Sequence, residues 1–152
     1  MSGMKPIAIA LLFTLATLAA SSHADEAPFR GDIVKMTEQN ADFRHVLFTG
    51  RNVQVVAMTL RPGEDIGEEV HKVDQCFFFI QGTAQTLVGG SNATVGKDGV
   101  LCVPAGMRHN IRNAGREPLK LYTTYSPPQH PAGTIHHTKA DAQRAEEPAG
   151  PR

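Results

Sequence analysis

The chain has 152 residues with 15 basic and 15 acidic side chains, a net charge of zero, seven His, two Cys and no Trp. That length suits one domain, and the lack of any block of like charge argues against nucleic-acid binding, which needs a basic stripe. Fourteen Gly and ten Pro are spread mostly singly between short apolar runs. Such turn punctuation excludes a coiled coil, a multi-span membrane protein and a low-complexity chain.

In chain order, Lys5 precedes an uncharged apolar stretch from Ile7 to Ala20, and Ser22-His23-Ala24 follows with small side chains at both pocket positions of a signal-peptidase site. This anatomy predicts a secretory signal peptide over residues 1–24. The competing reading, a membrane anchor, needs about 20 apolar residues. The mature chain then starts at Asp25 without a membrane segment. Its expected location is periplasmic or secreted, an oxidising setting in which Cys76 and Cys102 are able to pair.

Seven apolar runs of strand length come next: Arg44–Thr49, Val53–Leu60, Gln75–Ile80, Ala84–Val88, Val100–Val103, His109–Asn113 and Leu119–Tyr125. They are rich in Val, Ile, Phe, Thr and Tyr, which suit a half-buried pleated surface, and Gly, Pro and Asn clusters separate them. Gly89-Gly90-Ser91-Asn92 is read as a separator, and the glycosylation-like Asn92-Ala93-Thr94 as part of its hairpin loop. No sustained amphipathic helix is expected before residue 137. Thr138–Glu147 suits one short helix ended by Pro148, with disorder expected from Ala145 onward. The predicted fold class is all-β, a sandwich or barrel, in one domain.

Two segments carry candidate chemistry. In Gly63–Gly82, the odd positions Glu69, His71, Gln75, Phe77 and Phe79 share one face of an extended chain, provided the register survives a bend near Lys72–Asp74. The two Phe belong inside, so the carboxylate, imidazole and amide are expected inside too, where a charge needs a partner or a metal. In Asp98–Asn113, Pro104-Ala105-Gly106 makes a turn, after which His109, Ile111 and Asn113 share a face. The plainer readings are a solvated turn acid for Glu69, core histidines for His71 and His109, core packing for both Phe, and a turn-fixing role for Asn113.

The spacing of both segments resembles the cupin superfamily, specifically its small, single-domain, conserved-barrel type 2 members. That pattern is Gly, five residues, His-x-His, three or four residues, Glu, six residues and Gly. Gly63, Glu69, His71, Gln75 and Gly82 meet its spacing. The second pattern, Pro-x-Gly, two residues, His, three residues, Asn, is met by Pro104, Gly106, His109 and Asn113. Glu69 replaces the first His of the pattern, Gln75 replaces its Glu, and Asp98 stands where a Gly is expected, a change expected to alter only that turn. The resemblance implies a double-stranded β-helix, or jelly-roll barrel, over residues 25–137, with an N-terminal arm and a Pro-rich C-terminal arm. A short helix and tail are expected over 138–152.

By the same resemblance, Glu69, His71, Gln75 and His109 are the expected metal ligands, with Gln75 either ligating or holding a bound water or substrate. Phe77, Phe79, Ile111 and Asn113 are the expected pocket lining. Two imidazoles and a carboxylate suit a divalent transition metal: iron, manganese, zinc, copper or nickel. Neighbouring barrel strands are also expected to bring Cys76 and Cys102 within reach of each other as a disulfide; two thiols packed as small hydrophobes are the alternative. The arm Ser126–His137 is expected to pack on the barrel, and His130, His136 and His137 are not expected to form a second metal site. The implied function is an exported metal-binding protein acting on a small organic molecule, with dioxygenase-like or isomerase-like chemistry. The alternative is a non-catalytic module for a sugar or small acid, its metal structural or absent. By analogy, a homodimer is a further expectation, formed through sheet edges or the segment Asp25–Thr37.

Overall fold

The structure is a computed structural model that describes residues 24, 25 and 27–147. The expected signal segment up to His23 and the tail from Pro148 lie outside the described residues. Among the described residues, no helix is long and apolar enough to cross a membrane.

The first described element is a helix that periodicity did not reveal. Asp32 accepts the Lys35 backbone N–H at 3.0 Å and so caps α1 (Ile33–Gln39), a typical N-cap arrangement. Seven residues are too few for a helical apolar repeat to stand out. The helix leads into β1 (Arg44–Thr49), β2 (Gln54–Leu60), β3 (Asp74–Gln81), β4 (Ala84–Val88), β5 (Ser91–Val95), β6 (Val100–Val103), β7 (His109–Asn113), β8 (Leu119–Ser126) and β9 (Ile135–His136). A second helix, α2 (Lys139–Glu146), follows.

Two antiparallel sheets enclose the core, one in the order β6-β3-β8-β2-β1-β9 and the other in the order β5-β4-β7. Val56, Met58, Phe77, Phe79, Leu121 and Tyr125 of the large sheet pack in one apolar cluster with Ala84 and Ile111 of the small one. This is the all-β cupin barrel that the spacing implied.

Three segments differ from expectation. Ser91–Val95 is a strand paired to β4 along its length, and only Gly89 and Gly90, both at positive φ, make the turn, as a tight two-residue hairpin demands. Because this edge strand is almost wholly exposed, it shows no apolar alternation to read. The two-residue β9 pairs Arg44 with His136 and His45 with Ile135, too short a strand to leave a pattern. Ala145 and Glu146, expected to be disordered, complete α2. The helix is closed at its start by a capping box between Thr138 and Asp141 and tied to the barrel by Lys139–Asp65 and Arg44–Glu146 ion pairs.

The C-terminal arm packs on the barrel. Fully buried Gln54 donates to Thr49 Oγ1 at 2.9 Å and to the His130 carbonyl at 2.8 Å. Its oxygen accepts the Gln129 and His130 backbone N–H groups at 3.3 and 3.0 Å. One buried amide thus uses all its hydrogen-bonding capacity on the junction of β1, β2 and the arm.

Candidate metal centre

The stretch between β2 and β3 is the element that builds the site. It runs antiparallel to β7: Ile66 N–H donates to the Ile111 carbonyl at 3.0 Å, and Glu69 and His109 exchange backbone hydrogen bonds of 2.9 and 3.0 Å. Gly106 N–H then donates to the His71 carbonyl at 2.7 Å. Ile66 and Glu69 both face inward although their parity differs. Gly67, at φ 93°, sits between them in a region that L side chains rarely adopt and resets the phase. From Glu69 to Phe79 each odd position is more buried than its even neighbours. The register therefore survives the bend at Lys72–Asp74.

Strand alternation brings the four named polar side chains together. Donor atoms of Glu69, His71 and His109 all lie within 4.8 Å of one another. His71 Nε2 stands 2.9 Å from Glu69 Oε2, and His109 Nε2 stands 3.9 Å from the same oxygen. Gln75 Oε1 is 3.0 Å from His109 Nε2. His109 is 1% exposed, with Glu69 and His71 at 16% and 11%, so the cluster sits inside the barrel and opens only slightly to solvent.

The hydrogen bonding of His109 bears on what the cluster suits. Its Nδ1 lies 3.0 Å from the Met107 carbonyl, an acceptor that holds the ring proton on Nδ1. Nε2 then presents a lone pair to Gln75 Oε1 and to the Glu69 carboxylate. Lone pairs converging in a dry interior repel one another, and a cation among them turns the repulsion into binding. Glu69, His71 and His109 could therefore hold a divalent metal, with the Gln75 amide oxygen next to His109.

The aromatic and amide residues divide. Phe77 places its ring T-shaped against His109, centroids 5.8 Å apart, and so walls the cluster. Phe79 and Ile111 are fully buried in the apolar core. Asn113 faces inward as expected but offers nothing to a pocket. Its amide donates to the Leu60 and Glu117 carbonyls at 2.9 and 2.8 Å and accepts the Gly115 N–H at 2.9 Å, so it fixes the turn after β7. Cys76 and Cys102 are cross-strand partners on β3 and β6, with Cα atoms 4.0 Å apart, and are joined as a disulfide on the outer face, next to Gln75.

Three residues near the centre had not been singled out for it. Arg44, 3% exposed, opens β1; its Nη2 lies 3.9 Å from Glu69 Oε1 and its Nη1 donates to Glu146 Oε1 at 2.8 Å. Tyr125 sets its ring edge-on to His71 at 5.5 Å, and burial pushes its phenol above the ordinary value. His130, carried by the arm, packs edge-on against Tyr125 at 5.1 Å. Burial first, then the charge of Arg44 and the nearby His71 and His136, push its imidazole down to about 3, so it is neutral. The inward parity of Arg44 with Val46 was a usable signal. His130 lies on an irregular arm where no periodicity applies.

The Cupin domain family matches residues 56–125, which span β2 to β8. An uncharacterized protein of Bacillus subtilis, YrkC, is 46% identical over 127 residues, covering 79% of this chain and 68% of its own. The crystal structure of BH2720 from Bacillus halodurans is 40% identical, with a TM-score of 0.77 over 80% of this chain and 99% of that one. More distantly, the tetracenomycin polyketide synthase protein TcmJ of Streptomyces glaucescens is 33% identical over 69 residues, covering 45% of this chain and 46% of its own. Sequence match and barrel agree: this chain belongs to the cupin superfamily and carries in its interior a carboxylate and two imidazoles that can hold a metal ion.

Proposed function

We propose that the protein is an exported, metal-dependent cupin that transforms a small organic molecule by dioxygenase-like or isomerase-like chemistry. The observation that carries this reading is the convergence of Glu69, His71 and His109 donor atoms within 4.8 Å, beside the Gln75 amide oxygen. A two-histidine, one-carboxylate set leaves coordination positions open to a substrate. When bound, such a metal supplies Lewis acidity toward a carbonyl or hydroxyl oxygen.

The chain's own residues do the rest. The Met107 carbonyl holds the His109 proton on Nδ1. Phe77 and Tyr125 keep the interior apolar around the two imidazoles. Arg44 places a positive charge beside Glu69. The Cys76–Cys102 disulfide suits export, since such bonds persist outside the reducing cytosol, and the enzyme-like name of TcmJ favours a catalytic role.

Elemental analysis of the purified protein tests the centre. A transition metal is expected in near-stoichiometric amount, and a His71→Ala, His109→Ala double variant is expected to lack it. Equal metal content in both proteins refutes the centre. Aerobic turnover by iron- or manganese-loaded protein that disappears in His71→Ala marks an enzyme.

One observation favours the second reading, a binding module without catalysis. The Gln75 Nε2 is buried without a partner, and turning that amide over gives His109 Nε2 a donor. Since Glu69 and His71 already pair, the cluster is then satisfied with no cation. A metal-free protein that melts at the same temperature with and without added zinc supports that reading.

A further inference from the structure

A buried guanidinium is costly unless it is paired, and Arg44 is paired unusually. Its contact with Glu69 is long, at 3.9 Å, its Nη1 also lies 3.4 Å from His136 Nδ1, and its Nε is buried without a partner. The single carboxylate within hydrogen-bonding distance of it among the described residues is Glu146, whose side chain is 58% exposed. Glu146 is the last residue of α2, a helix anchored at its other end by the Thr138–Asp141 capping box and the Lys139–Asp65 pair. The carboxylate that neutralises a buried cation beside the metal-donor cluster is therefore on the most easily moved part of the helix.

The arm provides a second polar group with no partner. Gln54 fixes the backbone of His130 from two sides, while the ring Nε2 of His130 is buried and unpartnered. His130 stands near enough to Arg44 to feel its charge, and Tyr125 packs edge-on against both His130 and His71. Arg44 and His130 thus each bring a buried, unsatisfied nitrogen to the arm side of the centre.

We propose that Arg44 and His130 form a carboxylate-binding subsite of this centre, in which Glu146 is an internal carboxylate that a small organic-acid anion displaces. The exchange conserves charge. A carboxylate arriving on Arg44 replaces the one leaving, whereas a neutral ligand that displaces Glu146 strands a buried cation. The planar guanidinium fork suits a carboxylate held by two parallel hydrogen bonds. Because Arg44 lies inside the barrel next to Glu69, the ligand must be small, and its far end meets the metal donors. The inference rests on the metal-centre reading only for that second anchor.

The test uses the full purified chain as wild type, Glu146→Gln, Arg44→Lys and His71→Ala. Pyruvate and methyl pyruvate are the probes, titrated by calorimetry and ligand-observed magnetic resonance, with zinc content measured in parallel. Removing the internal competitor is expected to tighten pyruvate binding about tenfold in Glu146→Gln and to leave the methyl ester unaffected, as expected for a charge-assisted pair. Arg44→Lys is expected to weaken pyruvate at least about tenfold at unchanged zinc content, since an ammonium cannot reproduce the fork. Equal pyruvate affinity in wild type and Glu146→Gln overturns the proposal, as does equal binding of acid and ester, or no pyruvate binding to any variant. Should Arg44→Lys fail to fold, Glu146→Gln decides alone, since it alters an exposed side chain. Zinc retained with no preference for the acid rejects the subsite and keeps the metal centre; the preference retained with no zinc in any protein does the reverse.

Discussion

The two flanks of the centre are built by different means. On one flank, Glu69, His71, Gln75 and His109 come from two extended segments that lie side by side, and backbone hydrogen bonds within 3.0 Å set their register. On the other, Arg44, His130 and Glu146 come from the start of β1, an irregular arm and the end of α2. Only the two-residue β1–β9 pairing and two flanking backbone bonds form a ladder there, and side chains make the other ties: Gln54 to the arm, Arg44 to Glu146. A ladder places side chains by repetition, so each neighbour confirms the next. The arm flank rests on a two-residue strand pairing and a few side-chain contacts, so each of them matters more. The strand flank is accordingly suited to holding a metal and the arm flank to yielding when a ligand enters.

The largest expected stability effect is on the strand flank. Removing the disulfide with Cys76→Ala and Cys102→Ala opens a cross-link between residues 26 apart, for which chain-entropy reasoning gives a loss of about 3–4 kcal/mol. Urea denaturation checks it. Metal content is expected to persist under native conditions, because the β3–β6 ladder still pairs Gln75 with Val103. Next comes Gln54→Ala on the arm flank. It leaves the Thr49 hydroxyl, the His130 carbonyl and two backbone N–H groups without partners, at a cost of about 2–3 kcal/mol. Hydrogen exchange is expected to speed up over residues 127–134 and to stay slow in β3 and β8. If exchange rises equally in all three, the arm is not a separate unit.

This contrast also explains what the sequence made legible. Strand alternation is a local code, so the inward face of Glu69, His71, Gln75 and His109 followed from parity and from the positions of the flanking Phe residues. Parity also put Cys76 on the face opposite Gln75, but that a neighbouring strand brings Cys102 to it followed only from the cupin resemblance. The arm flank has no such code. Arg44 and Glu146 are 102 residues apart, and nothing near either names the other. Helix α1 was hidden by its length, β5 by its polar exposure, and the parity shift at Gly67 by the fact that a bulge shows only when both strands of a ladder are seen. Asn113 was placed on the correct face but assigned to a pocket, because parity reports direction and not whether a side chain is already satisfied.

A pH experiment separates the flanks again. His130 has a folded-state value of about 3 against an ordinary 6.5, so between those limits the unfolded chain binds more protons than the folded one. Stability contributed by neutral His130 is therefore complete above about pH 6.5 and falls as the pH drops through that range. The groups facing it are Arg44, His71, His136 and Tyr125, and the Arg44 charge adds to the cost of a second cation there. Between pH 6.5 and 5 the expected loss is about 1–2 kcal/mol, seen first as release of the arm. A His130→Asn variant is expected to flatten this dependence in metal-free protein; an unchanged slope places the acid sensitivity elsewhere.

The smallest effect returns to the strand flank. Asp98 lies at φ 65°, the one non-glycine residue with positive φ among the described residues, in the turn before β6, where the superfamily pattern has Gly. The turn keeps the left-handed conformation despite the change of residue: Asp98 N–H donates to the Phe79 carbonyl at 2.8 Å, and the Phe79 N–H to the Gly99 carbonyl at 3.0 Å. These two bonds dock the turn against β3 and hold Asp98 where an L side chain crowds its own backbone, a strain that Asp tolerates better than most residues. Asp98→Gly relieves that strain but adds freedom to the unfolded chain. The net expectation is a gain of about 0.5 kcal/mol, seen as a slightly higher denaturation midpoint with an unchanged slope. Because the turn lies on the strand flank, the pH dependence of the arm should be the same in this variant as in the wild type. A shift in that dependence would mean that the two flanks are coupled through β3 and do not act as separate supports of one site.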